Sequence, residues 1–269
     1  MSTSADISSG FEVIQVKYGE RMTRKSVVLN DYFAYGEPDG DLHMEYNFWV
    51  FRRAGATILL DTGYDIPARD WLGEIPVTAT PDGLAMVGID PADVSMVITS
   101  HFHYDHIGYL GLFGNAEVVS GAAEYDYWFG KWRDDQLDGE FTVASDLQVV
   151  ERAEREGRLR LVREPTEIVD GITVYPVGGH CPGELLTLVN SRSRPLIMAV
   201  DAAHFYEQIE HEWPFFAFTS LTEMRAALSF MNKLAAEKGA TIVPGHDGRV
   251  RLKYPALPGP ASEIATVLG

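Results

Sequence analysis

The sequence predicts an α+β protein, residues 1–269 forming one domain with two similar αβ halves. Three observations predict it. Short, β-branched apolar runs recur along the chain, and helical stretches are interspersed among them. Each half also holds one apolar strand that ends in aspartate, Asp61 or Asp201, and a later strand that ends in a histidine-bearing loop, at His101 or His246. No linker rich in Gly, Pro or Ser divides the chain, and no short tandem repeat occurs in it.

The elements follow in order. After a polar start over Met1 to Gly10, Phe11 to Val16 alternates apolar and polar residues as a half-buried strand does, and Ser26 to Leu29 reads as another. Gly36-Glu37-Pro38-Asp39-Gly40 is a turn. Tyr46 to Phe51 and Thr57 to Gly63 flank Arg52-Arg53-Ala54-Gly55-Ala56 as the arms of a hairpin. Asp65 to Gly83 reads as a long loop or broken helix beside the site, and Pro81 to Val87 as a helical turn or more. The uncharged run Val94 to Thr99 is a buried strand, Ala116 to Ser120 a short one, and Ala122 to Trp132 a helix whose aromatic face suits core or lid packing. Gln148 to Arg158 reads as a charged helix whose glutamates and arginines, at helical spacing, form a solvated face. Arg160 to Arg163, Ile168 to Val169 and Ile172 to Val177 are strands, the last two joined by the turn Asp170-Gly171. Leu185 to Asn190 and Pro195 to Val200 form a further pair. An amphipathic helix from about Thr222 to Lys238 stops at Gly239, and Thr241 to Val243 is one more strand.

Charge and cysteine content narrow the function. With 39 acidic against 22 basic residues, the formal net charge of −17 repels phosphate backbones and anionic lipid. A small-molecule substrate is therefore expected, with no nucleic acid and no membrane as partner. Cys181 is the only cysteine, which excludes an intrachain disulfide and a Cys-rich zinc module and fits a reducing compartment. No signal-peptide pattern and no run of about 18 apolar residues occurs, so a cytoplasmic location is expected, as a monomer or homodimer.

The densest chemistry lies in Ser100-His101-Phe102-His103-Tyr104-Asp105-His106, at the exit of the Val94 to Thr99 strand. His101 and His103, two apart in extended chain, project to one side and can chelate one ion, while Asp105 and His106 point toward a neighbouring position. Two adjacent divalent ions follow, and His180, Asp201 and His246, each after a β-like run, are the further donors the chain offers. Taken singly, each of these histidines is explained as well by an ordinary structural hydrogen bond. Jointly, five of the eight histidines fall in three strand-exit loops beside glycines, which structural roles alone do not explain. His43 and His211 are read as ordinary residues, and Arg249, Arg251 and Lys253 as a solvated edge.

These residues resemble the H-x-H-x-D-H signature of the metallo-β-lactamase superfamily. Gly179-His180-Cys181-Pro182-Gly183 is similar to its G-H-T-P-G segment, Leu60-Asp61-Thr62-Gly63 to its early L-D-T-G, and Ala199-Val200-Asp201 and Pro244-Gly245-His246-Asp247 to its later motifs. The resemblance implies a four-layered αββα sandwich. It implies a first metal held by His101, His103 and His180, a second by Asp105, His106 and His246, and a bridge by Asp201, with Asp61 orienting a ligand imidazole. The ions are expected to be zinc, although such a donor set also accepts Mn, Fe or Co. A paired site of this kind activates water and polarises a carbonyl, so hydrolysis is expected.

Within the superfamily the chain looks most like the N-acyl homoserine lactonase branch, which implies opening of a lactone ring and quorum quenching. Asp105 would then give a proton to the leaving alkoxide. A glyoxalase II-like thioesterase, or a hydrolase of another cyclic ester or amide, is the alternative. His204 stands three residues after Asp201, where lactonases of this family carry an oxyanion-donating tyrosine, and is expected to be catalytic. Glu184 replaces a second histidine of the G-H-T-P-G-H form, and Cys181 a threonine. Trp128, Trp213, Phe215 and Phe216 are the expected apolar walls of the substrate pocket.

Overall fold

Residues of alternating parity sort into two apolar layers, and that alternation builds the molecule. The structure is a computed structural model that describes residues 10–65 and 76–269. In chain order its elements are β1 (Glu12–Arg24), α1 (Lys25–Val28), β2 (Asp41–Arg53), β3 (Ala56–Leu60), α2 (Thr80–Met86), β4 (Met96–Ile98), α3 (Tyr104–Ile107), β5 (Glu117–Gly121), α4 (Ala122–Arg133), α5 (Ala144–Arg155) and β6 (Leu159–Val162). There follow β7 (Thr166–Val169), β8 (Ile172–Val177), β9 (Glu184–Asn190), β10 (Pro195–Val200), α6 (Tyr206–His211), α7 (Leu221–Lys238), β11 (Thr241–Pro244), α8 (Val250–Lys253) and β12 (Ala265–Val267).

A seven-stranded sheet runs β12-β1-β2-β3-β4-β5-β6 and a five-stranded sheet β11-β10-β9-β8-β7. Met96 and Ile98 of β4 join Leu196, Met198 and Val200 of β10 in one apolar cluster between the sheets. Val97 and Ile197, of opposite parity, fall in the other cluster with the buried residues of α2, α4, α5 and α7. The helices thus cover the outer faces, which gives the expected αββα layering. Each fully buried Phe or Leu in these layers contributes about 1.5–3 kcal/mol of transfer free energy.

Strand direction places the site. Strands β3, β4 and β5 are parallel neighbours, as are β10 and β11, so each set opens its C-terminal ends on one edge. β9 is antiparallel to β10, so the loop before its first residue reaches that same edge. The Asp-ending and His-ending strands of the two halves are these parallel pairs.

Several expectations change. Ser26 to Leu29 is not a strand: Lys25–Val28 is one helical turn that buries Val28. The helix expected over Gln148 to Arg158 begins earlier, spanning Ala144–Arg155, and Leu147, Val150 and Ala153 lie inward opposite its charged face. The charge pattern marks only its outer face. β1 and β2 are 13 residues each, longer than their apolar cores, because their polar ends pair with one another as a ribbon. β12, which pairs Val267 with Ile14, was not foreseen. Met1 to Ser9, and residues 66–75 of the loop expected over Asp65 to Gly83, lie outside the described residues. Among the described residues no helix is long and apolar enough to cross a membrane.

Candidate metal centre

The backbone turns sharply at both aspartate-bearing exits. Asp61 (φ 63°) and Val200 (φ 48°) both sit in the left-handed region, which a β-branched residue such as Val200 rarely adopts. After β4 the chain stays extended through His103 and then coils into α3, which separates the two imidazoles of the H-x-H pair from Asp105 and His106. His101, His103, Asp105, His106, His180, Asp201 and His246 all converge, and none is more than 8% exposed.

Asp201 stands between two clusters of donors. Its Oδ2 lies 3.3 Å from His180 Nε2 and 3.8 Å from His101 Nε2, and His180 Nε2 lies 3.0 Å from His103 Nδ1. Its Oδ1 lies 3.0 Å from His246 Nε2 and 3.4 Å from His106 Nε2, which is itself 3.6 Å from Asp105 Oδ1. Donors about 2.1 Å from a tetrahedral ion stand roughly 3.4 Å from one another, so both clusters have the spacing of an ion's ligand shell. His101 Nε2 and His106 Nε2 are buried, and neither makes a hydrogen bond to a described residue. Two lone-pair nitrogens left bare in a dry site are what a cation would satisfy. The donors therefore fit two divalent ions sharing Asp201.

The opposite ring edges are held. Asp61 Oδ2 accepts from His106 Nδ1 at 2.8 Å and from the Ser100 hydroxyl, which contacts His101 Nδ1 at 2.9 Å. The carbonyls of Ala217 and Glu45 take His180 Nδ1 and His246 Nδ1 at 3.0 and 2.7 Å. These contacts fix each tautomer with Nε2 facing inward. The fifth ring, His103, turns Nδ1 inward and Nε2 onto the Cys181 sulfur at 3.2 Å.

Electrostatics favour the protonation states that metal ligands need. Burial first, then neighbouring imidazoles, hold His101 and His103 well below the usual histidine value, and burial also lowers His180. Burial opposes the charge on Asp201, yet His204, His106 and His246 together hold its carboxyl well below the usual range. His106 is the exception: burial pulls it down, but Asp201, Asp105 and Asp61 jointly hold it well above the usual histidine value. Burial, ahead of Asp201, pushes the Glu184 carboxyl well above its usual value, and burial does the same to the Cys181 thiol.

His204 packs flat on Phe215, ring centroids 3.4 Å apart, with Nε2 3.0 Å from Asp201 Oδ2 and Nδ1 without a described partner. Burial first lowers its pKa to about 3, so the ring is neutral. Phe215 and Phe216 line the cleft above the donors, and Tyr46, Tyr104, Phe141 and Arg21 line it too, although no sequence signal had marked them. The alternation of β2 could have found Tyr46. Trp128 and Trp213 are not among the described residues that line it. Trp128 is 1% exposed and donates its Nε1–H to Glu124, while Trp213 stacks on Tyr35 and His211. Both indoles are used up by packing, which corrects their expected role as walls. Arg249, its side chain 42% exposed, also binds Asp247 and Glu207.

Residues 44–246 match the family model described as the metallo-beta-lactamase superfamily. N-acyl homoserine lactonase AttM of Azorhizobium caulinodans is 32% identical over 183 residues, 64% of this chain and 65% of that protein, so the match spans less than two thirds of that relative's length. N-acyl homoserine lactonase AttM of Rhizobium radiobacter is 30% identical over 230 residues, 77% of this chain and 83% of that protein. A solved N-acyl homoserine lactone hydrolase, with the product N-hexanoyl-L-homoserine bound at its catalytic metal centre, superposes with a TM-score of 0.75 at 20% identity over 93% of this chain and 99% of that one. A layered fold, paired donor clusters at one sheet edge and a family match over most of the sequence agree, and the chain belongs to the metallo-β-lactamase superfamily.

Proposed function

We propose that the protein is a metal-dependent hydrolase that opens the ring of a lactone, an N-acyl homoserine lactone or a related small one. The observation that carries this reading is a pair of donor clusters joined through Asp201 on the floor of one aromatic-walled cleft. The activity named for its relatives supports the same substrate class. His101, His103 and His180 would hold one ion and Asp105, His106 and His246 the other, with Asp201 standing between the two clusters. Zinc is the proposed metal, given imidazole and carboxylate donors and no inward thiolate. When bound, such ions polarise an ester carbonyl and lower the pKa of water.

The chain's own groups do the rest. Tyr18 donates to the Asp105 carbonyl at 2.6 Å, which pins the backbone while the carboxylate faces the cleft, where it can take a proton from the attacking water and pass it to the departing alkoxide. The His204 Nε2–H that donates to Asp201 lies at the cleft edge, where it is available to a developing oxyanion once that carboxylate is engaged elsewhere. Replacing His204 by Phe should lower kcat roughly 100-fold, and an unchanged kcat on the true substrate refutes the role. Phe215 and Phe216 shape the apolar side of the cleft. A cytoplasmic location, supported by the single buried thiol, is checked by cell fractionation.

A hydrolysis panel of lactones, thioesters and β-lactams with metal-loaded protein tests the reading. Fast lactone opening is expected. Thioester cleavage without lactone cleavage would overturn it.

A further inference from the structure

Four of the five ligand imidazoles are steadied from behind by oxygen: a carboxylate, a hydroxyl and two backbone carbonyls. His103 alone is backed by sulfur, its Nε2 lying 3.2 Å from Cys181 Sγ. We propose that Cys181 and Glu124 form a positioning pair for His103, the thiol accepting the ring's Nε2–H and turning its own S–H toward the Glu124 carboxylate. The proposal rests on the metal-centre reading and not on the choice of lactone.

The geometry carries it in three steps. His103 turns Nδ1 toward the donor cluster that holds His180 Nε2, so with Nδ1 given to an ion, Nε2 is the edge that keeps a proton and needs an acceptor. Cys181 is fully buried and meets that edge, on the far side of the ring from His180. Glu124, also fully buried, is anchored through Oε1 by the Phe102 N–H and the Trp128 Nε1–H, each at 2.7 Å. Its Oε2 is buried and makes no hydrogen bond among the described residues, which leaves an oxygen for the Cys181 thiol to address. Phe102 precedes His103 directly, so one carboxylate steadies both the backbone before the ligand and the residue behind it. Trp128 and Phe141 meet the His103 ring edge-on, leaving the thiol as its polar contact on that side.

A rival arrangement makes Cys181 a ligand, since it lies among donors close enough to share an ion with His101, His103 and His180. The facing atoms argue against that. Sulfur meets the outward nitrogen of His103, not the inward one, and a metal-binding cysteine must be a thiolate.

Full-length protein loaded with zinc, and in parallel with cobalt(II), separates these possibilities. Metal retention is measured against a competing chelator, and the folded state of each variant is followed by circular dichroism. Cys181→Ala is expected to release one of two ions at about 10- to 100-fold lower chelator. Cys181→Ser, which restores an acceptor and a donor, is expected to recover most of that loss, and Glu124→Gln to fall between. Retention in folded Cys181→Ala equal to wild type overturns the proposal. So does a thiolate-to-cobalt charge-transfer band that disappears in Cys181→Ala, which would make sulfur a ligand. Wild-type protein that holds no metal refutes the metal centre itself, and the proposal with it.

Discussion

The two sheets furnish the site in different ways. The seven-stranded sheet delivers four donors from one loop after β4, within six residues, and adds Asp61 from the neighbouring β3. The five-stranded sheet delivers three donors from three separate exits, at His180, Asp201 and His246. The first set is held by local chain geometry and one shared carboxylate. The second is held by strand register, so its accuracy depends on how whole elements pack.

Substitutions can break or sharpen that contrast. Asp201→Ala should have the largest effect, because it removes the residue common to both clusters: loss of both ions and a fall in kcat/KM on the order of 1000-fold, ~4 kcal/mol. Metal analysis that still finds two ions would dissolve the link between the sheets. Asp61→Asn should act on the first sheet alone, lowering metal affinity or activity roughly 10- to 100-fold by loosening His106 and Ser100. Metal retention and activity equal to wild type would show that the shared carboxylate does not hold the local set.

Smaller still is a backbone wedge in the second sheet. A Cβ on Gly245 would lie 2.3 Å from the Val200 carbonyl oxygen, between the exits that carry Asp201 and His246. Gly245→Ala should cost about 1–3 kcal/mol in thermal unfolding and lower metal content as well. Gly114→Ala, in the first half with nothing within 4 Å of the new methyl, should leave both unchanged. Equal effects from the two would show that register does not govern the dispersed donors.

The same contrast explains what could be read from the chain. The β4 loop was legible because its donors are crowded together; apolar runs marked most strands, while the αββα layering followed only from the resemblance that the site motifs carry. Single donors such as His180 were legible only through their company. The cleft walls were not, since Trp128 and Trp213 look in sequence like Phe215 and Phe216, and only packing shows which ring meets the cleft and which meets Glu124 or Tyr35. The end of β1, Arg21 to Arg24, carries no burial pattern, so its pairing with Asp41 to Met44 emerges only from the ribbon the two strands form.

Asp201 turns one oxygen to each cluster, and that has a consequence for how the protein fills. An ion on one side fixes the carboxylate for the other, and by reciprocity the second ion helps the first by the same free energy. Half-loaded molecules should then be scarce: native mass spectrometry of protein given one equivalent of zinc should show empty and doubly loaded chains, with little between. Scarcity of metal would lower the number of working molecules while leaving the quality of each one intact.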